Sequence, residues 1–292
     1  MRAYASSRLP LASILATRSA TTAPTSSLAA AVLACNVYVS EGRTQAVIDN
    51  VEAAAKSVRG VLLANTFVDA PYNRTGLTLV STIPSQLCLA AAAVAQTALQ
   101  LIDLRKHAAS HPRVGVVDHI SVHPLRHALS PSQARGHRQL ADIRRSLGYF
   151  RPTSSTHWMG ALSMDSLAAC PPDEGPSMVS QAAGIVTIGA IPWLVNYNIP
   201  VSGASLTDAR QLARAISERG GGLPGVQAMA LQHEHSLEVA CNLQDPDVSP
   251  AEMVQAHANK LGQRLGLTVG VGYRIGKTPE ELIQLASVSR DL

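Results

Sequence analysis

Two hydrophobic periods alternate along this chain, and their order predicts its architecture. Residues 34–40 read as a strand. Residues 44–57 follow with Val47, Ile48, Val51 and Ala55 on one helical face. Two strands come next, near 61–68 and 76–81, joined by the turn Asp-Ala-Pro-Tyr-Asn-Arg. Pro84 then opens a long Ala- and Leu-rich helix running to about residue 106, with proline near the start, where its missing N–H is tolerated. Residues 114–122 form the next strand, which gives the order βαββαβ.

The second half repeats that order. Residues 184–199 read as a strand pair or one long bent strand. Residues 207–219 read as a helix with Thr207 as N-cap, and Gly220-Gly221-Gly222 ends it. Short strands follow at 226–231 and 237–243. Ser249-Pro250-Ala251-Glu252 starts another helix with proline at its first position, and residues 267–275 close the set. Two βαββαβ halves predict an α+β protein of two ferredoxin-like (split βαβ) subdomains, each an antiparallel sheet with helices on one face. The expected divisions are a leader over 1–30, a first subdomain over 31–176 and a second over 177–292. The joint falls in the Pro-, Gly- and Ser-rich stretch 171–184.

Composition narrows the class. A chain of 292 residues can bury a proper core. Aromatic residues make up only 3% of it, so Ala, Val, Leu and Ile must do most of the packing. Cys35, Cys88, Cys170 and Cys241 lie far apart with no C-x-x-C pair, the pattern of reduced, buried thiols rather than a disulfide framework or zinc ribbon. The net charge of +4 comes mostly from the leader, where Arg2, Arg8 and Arg18 stand among Ser, Thr and Ala without an acid. The near-neutral body gives no electrostatic case for nucleic acid. No apolar run reaches the roughly 18 residues that a membrane span requires. The leader has the composition of an organellar transit peptide. Its cleavage would place the protein in a mitochondrion or plastid, and its retention in the cytoplasm.

The densest chemistry lies in His107-Ala-Ala-Ser-His-Pro-Arg-Val-Gly-Val-Val-Asp-His119, two imidazoles, a guanidinium and a carboxylate around a Pro-Arg turn that feeds an apolar strand. Upstream lie Ser40-Glu41-Gly42 and Asn73-Arg74-Thr75, and downstream Pro172-Asp173-Glu174-Gly175-Pro176. In this order the four pieces resemble the formiminotransferase family over about residues 34–285. The flanking Val-Gly-Val-Val-Asp-His-Ile is closer to a plant-type branch. Family members move a formimino group from formiminoglutamate to tetrahydrofolate. The resemblance implies two ferredoxin-like subdomains, a homodimer, and tetrahydrofolate as acceptor substrate without a metal. The chain stops soon after the second half, so a cyclodeaminase domain of the kind carried by longer members is not expected.

Such a transfer removes a proton from the attacking amine and returns one to the departing glutamate nitrogen, work suited to a histidine. His111, in Ser-His-Pro-Arg, occupies the place of the family's catalytic histidine, so the resemblance implies that it is the general acid/base; by itself it reads as a surface histidine. A carboxylate beside a cationic formimino group stabilises the transition state, and Asp69 is the candidate. Asp69 reads equally as a turn residue that bonds its own backbone. Arg74 and Arg113, with Asn73, are candidates for holding the donor's carboxylates, against the alternative of structural ion pairs. Asp118 either orients a histidine or pairs with Arg113.

Gly175, Pro176, Ser177, Met178, Val179, Ser180, Gln181, Ala182, Ala183 and Gly184 match the family's folate-binding stretch by position; composition alone makes them a linker. His107, His111, His119, His123 and His127 have suggestive spacings, but Pro112 and Pro124 interrupt any helix that would pair them, and no third ligand stands nearby. No metal site is assigned, and a histidine-rich metal hydrolase is the weakest reading.

Two departures from the family pattern stand out. Ile191 replaces a usual Arg, and about 30 residues, enough for one helix and one strand, are missing after Pro124. The gap predicts an uncovered sheet edge or core face. It also keeps open a second function class, a folate-binding or structural relative without turnover. The leader has few large apolar side chains to offset the entropy of ordering. Deleting residues 1–30 is therefore expected to leave the melting temperature of the purified body unchanged, and a large drop is the contrary result.

Overall fold

The computed structural model describes residues 32–125, 143, 144, 147, 149, 171–176 and 178–289. The leader, His127, Cys170, Ser177 and most of the segment where residues are expected to be missing lie outside the described residues.

The first unit runs β1 (Leu33–Val39), α1 (Gln45–Lys56), β2 (Leu62–Asp69), β3 (Arg74–Ser81), α2 (Pro84–Leu101) and β4 (Val117–Pro124). Its strands lie in the order β2-β3-β1-β4, every neighbouring pair antiparallel. This is the split βαβ arrangement expected from the hydrophobic periods. Strand alternation sends Cys35, Val37 and Val39 of β1 and Leu77 and Leu79 of β3 into the core beneath the helices. The helices meet them with Val51 and Ala55 of α1 and Leu87, Ala90, Val94 and Ala98 of α2. Alanines in that stripe let α2 approach closely, which is how a chain poor in aromatics reaches a dense core.

The opposite face of this sheet is polar. Asn36, Tyr38, Gly76, Thr78, His119, Ser121 and His123 share it, because each pairs in register with another of the set or with Ala34. Gly76 is required there: a Cβ would sit 2.7 Å from the Tyr38 ring, which lies across it.

The helix expected to reach residue 106 stops at Leu101. Ile102 is extended, and Asp103 caps a short 3-10 turn, Leu104–Lys106, by accepting the Arg105 N–H at 3.0 Å. β5 (Thr187–Ala190) lies parallel to β4 as a fifth strand of the first sheet. The expected joint at 171–184 thus precedes the actual change of sheet, which falls between Ala190 and the next strand, β6 (Val195–Ser202). The outer edge of β4, a sheet edge of the kind the gap was expected to uncover, pairs with β5.

From β6 the second unit continues through α3 (Leu206–Ile216), β7 (Val226–His233), β8 (Ser236–Leu243), α4 (Ala251–Leu265), β9 (Thr268–Val269) and β10 (Tyr273–Ile275). The order β10-β6-β8-β7, with β9 also on β6, repeats the first unit. The strand expected over 267–275 is two pieces, pairing β6 on either side of Pro200. Pro200 has no N–H to donate, and its carbonyl instead accepts from Gly270 at 2.8 Å. The N-cap of α3 is Ser205 rather than Thr207, in a reciprocal capping box with Asp208. Ile199, Leu212, Ile216, Val239, Leu243 and Val254 form this unit's core. Cys35 and Cys241 are buried thiols pushed up to about 12 by desolvation, as expected of inert core cysteines.

A last helix, α5 (Pro279–Val288), was not anticipated, although Thr-Pro-Glu-Glu is a capping box with proline at its first position. It returns to the first sheet, where fully buried Leu282 packs with Ala34, Val80 and Leu125 on the polar face's apolar end. Leu282→Ala should cost about 2–5 kcal/mol by opening that cluster. Thr278→Ala, which removes only the cap, should cost about 1 kcal/mol. Urea denaturation of the two variants checks both, and equal losses would mean that α5 does not depend on its apolar contact.

Candidate functional site

The site grows from the end of the first sheet at which β2, β3 and β4 carry charge. Asp118, fully buried, follows the first residue of β4. Its Oδ2 accepts from Arg74 Nη1 at 2.7 Å and from Arg144 Nη2 at 2.9 Å, and its Oδ1 accepts the Val114 N–H at 2.7 Å. Burial alone would raise the Asp118 pKa; Arg144 and Arg74 outweigh it and hold the carboxyl well below the usual range. Arg144 also donates to Thr187 Oγ1 of β5 at 2.8 Å and stacks over the Tyr149 ring at 3.8 Å. Arg74 lies 4.5 Å over Tyr38, on which His119 stacks at 4.5 Å. Sequence reading missed Arg144; of its two alternatives for Asp118, pairing with Arg113 gives way to pairing with Arg74, while a histidine, His119, does lie close, its Nδ1 3.8 Å from Asp118 Oδ2.

Arg113 turns the other way. Its guanidinium donates to His107 Nδ1 at 2.7 Å, to the Ala109 carbonyl at 3.0 Å and to the His111 carbonyl. Without a carboxylate partner among the described residues, it is lowered by burial to about 10. Each of these bonds stays within the loop 107–113, so Arg113 shapes the loop that presents His111. His107 completes the brace by donating from Nε2 to the Asn73 carbonyl at 3.1 Å.

The turn after β2 carries Asp69 and Asn73. Asn73 takes a left-handed backbone, φ 48°, and its side chain accepts the Gly42 N–H at 2.8 Å. Gly42 is there by necessity, since a Cβ would lie 2.5 Å from the Asp69 carbonyl. Asp69 Oδ1 accepts the Tyr72 N–H at 2.7 Å, as a turn aspartate does. Its Oδ2 reaches His233 Nε2 of the second unit at 3.2 Å. Tyr72 donates its hydroxyl to buried Glu238 of β8 at 3.1 Å. One turn of the first unit thus makes two polar contacts with the second.

His111 sits beside this turn, half-buried, with its ring edge-on to Tyr72 at 5.1 Å and to Tyr149 at 6.3 Å. Its Nδ1 lies 2.7 Å from the Pro112 carbonyl and must carry the proton to bond it. The lone pair of the neutral ring is therefore on Nε2, which has no hydrogen bond among the described residues. Burial first, then Arg74, holds this imidazole well below its ordinary pKa. Neither Asp69 nor Asp118 bonds to His111 directly.

The stretch 175–184 is divided. Gly175, Pro176 and Met178 are exposed, Met178 at 82%. At its other end the Ala183 and Gly184 N–H groups bond the Ser180 carbonyl, and the Ala182 and Ala183 carbonyls accept from Leu104 and Val116. A Cβ at Gly184 would meet the Val114 carbonyl at 2.3 Å, so its glycine serves a backbone crossing. Ser177 lies outside the described residues. Ile191 is buried, and with Pro192 offers its carbonyl to His123 Nδ1 at 3.1 and 2.9 Å. His119 and His123 do share a face of β4, but His123 is bound by these carbonyls, Ser121 and Asn36 while His119 rests on Tyr38.

Residues 32–133 match the family model of the formiminotransferase domain, N-terminal subdomain. A formiminotransferase cyclodeaminase-like protein of Arabidopsis thaliana is 38% identical over 281 residues, 86% of this chain and 94% of that protein. The chain belongs to the formiminotransferase family. A glutamate formimidoyltransferase of Streptococcus pyogenes is 29% identical, covering 73% of this chain and 78% of its own. The formimidoyltransferase-cyclodeaminase of Rattus norvegicus is 28% identical over 84% of this chain, which spans half of that protein's length. The matched formiminotransferase subdomain contains Asp69, Arg74, His111 and Asp118, while Arg144 and His233 lie beyond it.

Asp118→Asn should cost about 3–5 kcal/mol, because it strips a buried charge from two guanidinia; denaturant unfolding measures it. Acid should weaken the fold well before Asp118 titrates. His107 and His119 are lowered to about 4 and about 3, each mainly by burial. The unfolded chain takes up these protons from about pH 6.5 downward while the folded chain does not. Stability is then full above that value and declines as pH falls toward 4 and 3. A urea midpoint unchanged between pH 7.5 and 5 would contradict this.

Proposed function

We propose that this protein transfers a formimino group from formiminoglutamate to tetrahydrofolate, with His111 as general acid/base. The observation that carries the reading is the His111 ring itself, pinned at Nδ1 by the Pro112 carbonyl with no hydrogen bond at Nε2 among the described residues, in a loop braced by Arg113 and His107. A neutral, fixed imidazole can take the proton of the attacking amine as the new C–N bond forms and return it to the glutamate nitrogen. Asp69 supplies negative charge near the formimino carbon, and Arg74, held by Asp118, acts on the donor's carboxylates through its charge from within the fold. The exposed part of 175–184 meets the pterin. We further assign a targeting role to the leader and a homodimeric state to the folded body. The names of the relatives support formimino transfer in general; formiminoglutamate as donor and tetrahydrofolate as acceptor are the finer assignment.

A folate-binding relative without turnover is the second reading, favoured by Ile191, whose buried side chain stands where the family usually has a cation. Purified protein given both substrates separates the two, with 5-formiminotetrahydrofolate followed by mass spectrometry. Turnover is expected, and His111→Ala should lower it by about 10² to 10⁴ with folate affinity by calorimetry little changed. Folate binding without product leaves the second reading. Intact turnover in a folded His111→Ala variant removes His111 from the mechanism.

A further inference from the structure

We propose that His233, held by Asp69, is a second proton-transfer residue of this site and delivers the proton to the departing nitrogen. The inference rests on the transfer reading above. Its starting point is a juxtaposition that the mechanism so far leaves unused: the His233 and His111 rings both stand edge-on to Tyr72, at 4.7 and 5.1 Å.

The geometry around His233 is that of an oriented acid/base rather than a loose surface ring. Asp69 cannot swing freely, because the Tyr72 N–H holds its Oδ1 at 2.7 Å. Its Oδ2 faces His233 Nε2 at 3.2 Å, which puts a proton on Nε2 and leaves Nδ1 without a hydrogen bond among the described residues. A carboxylate that fixes one imidazole nitrogen so that the other can exchange protons is the orienting arrangement of a catalytic triad.

The hairpin that carries His233 is itself fixed. Gln232 Nε2 donates to the Glu234 and Ser236 carbonyls at 2.9 and 2.8 Å, and Ser110, next to His111, donates to the Gln232 carbonyl at 2.5 Å. The two histidine-bearing segments are therefore tied to each other. The His233 side chain is 21% exposed, enough for exchange with water.

Two such groups divide the proton traffic. As folate N5 bonds to the formimino carbon, its proton passes to His111 Nε2. As the carbon–glutamate bond breaks, its electron pair stays on the glutamate nitrogen, which takes a proton from His233 Nδ1. Solvent then removes one proton from His111 and returns one to His233, so the balance closes at each turnover.

His233→Gln keeps a side-chain N–H for Asp69 but cannot titrate. In wild type that transfers, this variant is expected to lose about 10² to 10⁴ in kcat with little change in KM for tetrahydrofolate. It should also lose the alkaline limb of the pH profile. A formimino donor with a weakly basic aromatic amine as leaving group should restore His233→Gln more than His111→Ala. Wild-type kcat and pH profile in His233→Gln would make His233 a tether between the units and overturn the inference alone. Should that variant fail to fold, Asp69→Asn reads the same pair from the other unit: a displaced alkaline limb supports the role, and an unchanged profile overturns it. A wild type that transfers nothing overturns the proposed function and this inference together.

Discussion

The buried carboxylate of Asp118, shared by two guanidinia, is the constraint from which the site follows. A charge at that depth is tolerable only when opposite charge and hydrogen bonds surround it. Meeting that demand draws Arg74 in from β3 and Arg144 from the far side of the chain, and fixes Val114 at the entry to β4. Through Arg144 and Thr187 it also reaches β5, the strand that closes the sheet's outer edge. The loop that presents His111 is anchored at both ends by this arrangement and its neighbours, Asp118 holding Val114 after it and Asn73 holding His107 before it.

Hydrogen bonding between the two units, among the described residues, is concentrated where chemistry is proposed, while α5 makes an apolar contact at the other end of the first sheet. Asp69 to His233, Tyr72 to Glu238 and Ser110 to Gln232 all join the first unit's two site loops to β7 and β8. Glu238 is 3% exposed and takes hydrogen bonds from Tyr72, Tyr273 and Asn198 rather than an ion pair among the described residues. Neutral donors satisfy a buried acceptor without adding a further cation. They hold the units together while leaving the local field to Arg74, Arg113 and Arg144.

Much of this was legible in the residues. The two periods gave both βαββαβ units, because each strand buries one face and each helix one stripe. β5 was harder to place: four residues cannot show whether a strand extends the previous sheet or opens the next. Arg144 was not legible as a site residue since its partner lies 26 positions away, and spacing alone does not bring the two together. His233 lies in Gln-His-Glu-His-Ser, between the strands expected at 226–231 and 237–243, and only the docking of the hairpin gives its imidazole a carboxylate. Arg113 shows the converse limit. Its residue type suits a carboxylate clamp, yet nearby carbonyls claim its donors first.

The positive surplus around Asp118 has a chemical consequence for the imidazoles. His107, His111 and His119 are each lowered by burial first, and then by guanidinia among Arg74, Arg113 and Arg144. At neutral pH such rings are uncharged, so their lone pairs are available rather than already protonated. The same depression makes each a weaker base and its conjugate acid a stronger one. A proton taken by His111 in this field does not stay long. That favours rapid return to a leaving nitrogen, or to solvent once a second group has protonated it. A carboxylate beside His111 would have worked against this by stabilising the imidazolium, and the fold instead directs Asp69 to His233 and Asp118 to the arginines. Asp118 still acts on His111 in the opposite sense, but burial and Arg74 outweigh it, and the ring stays neutral at neutral pH.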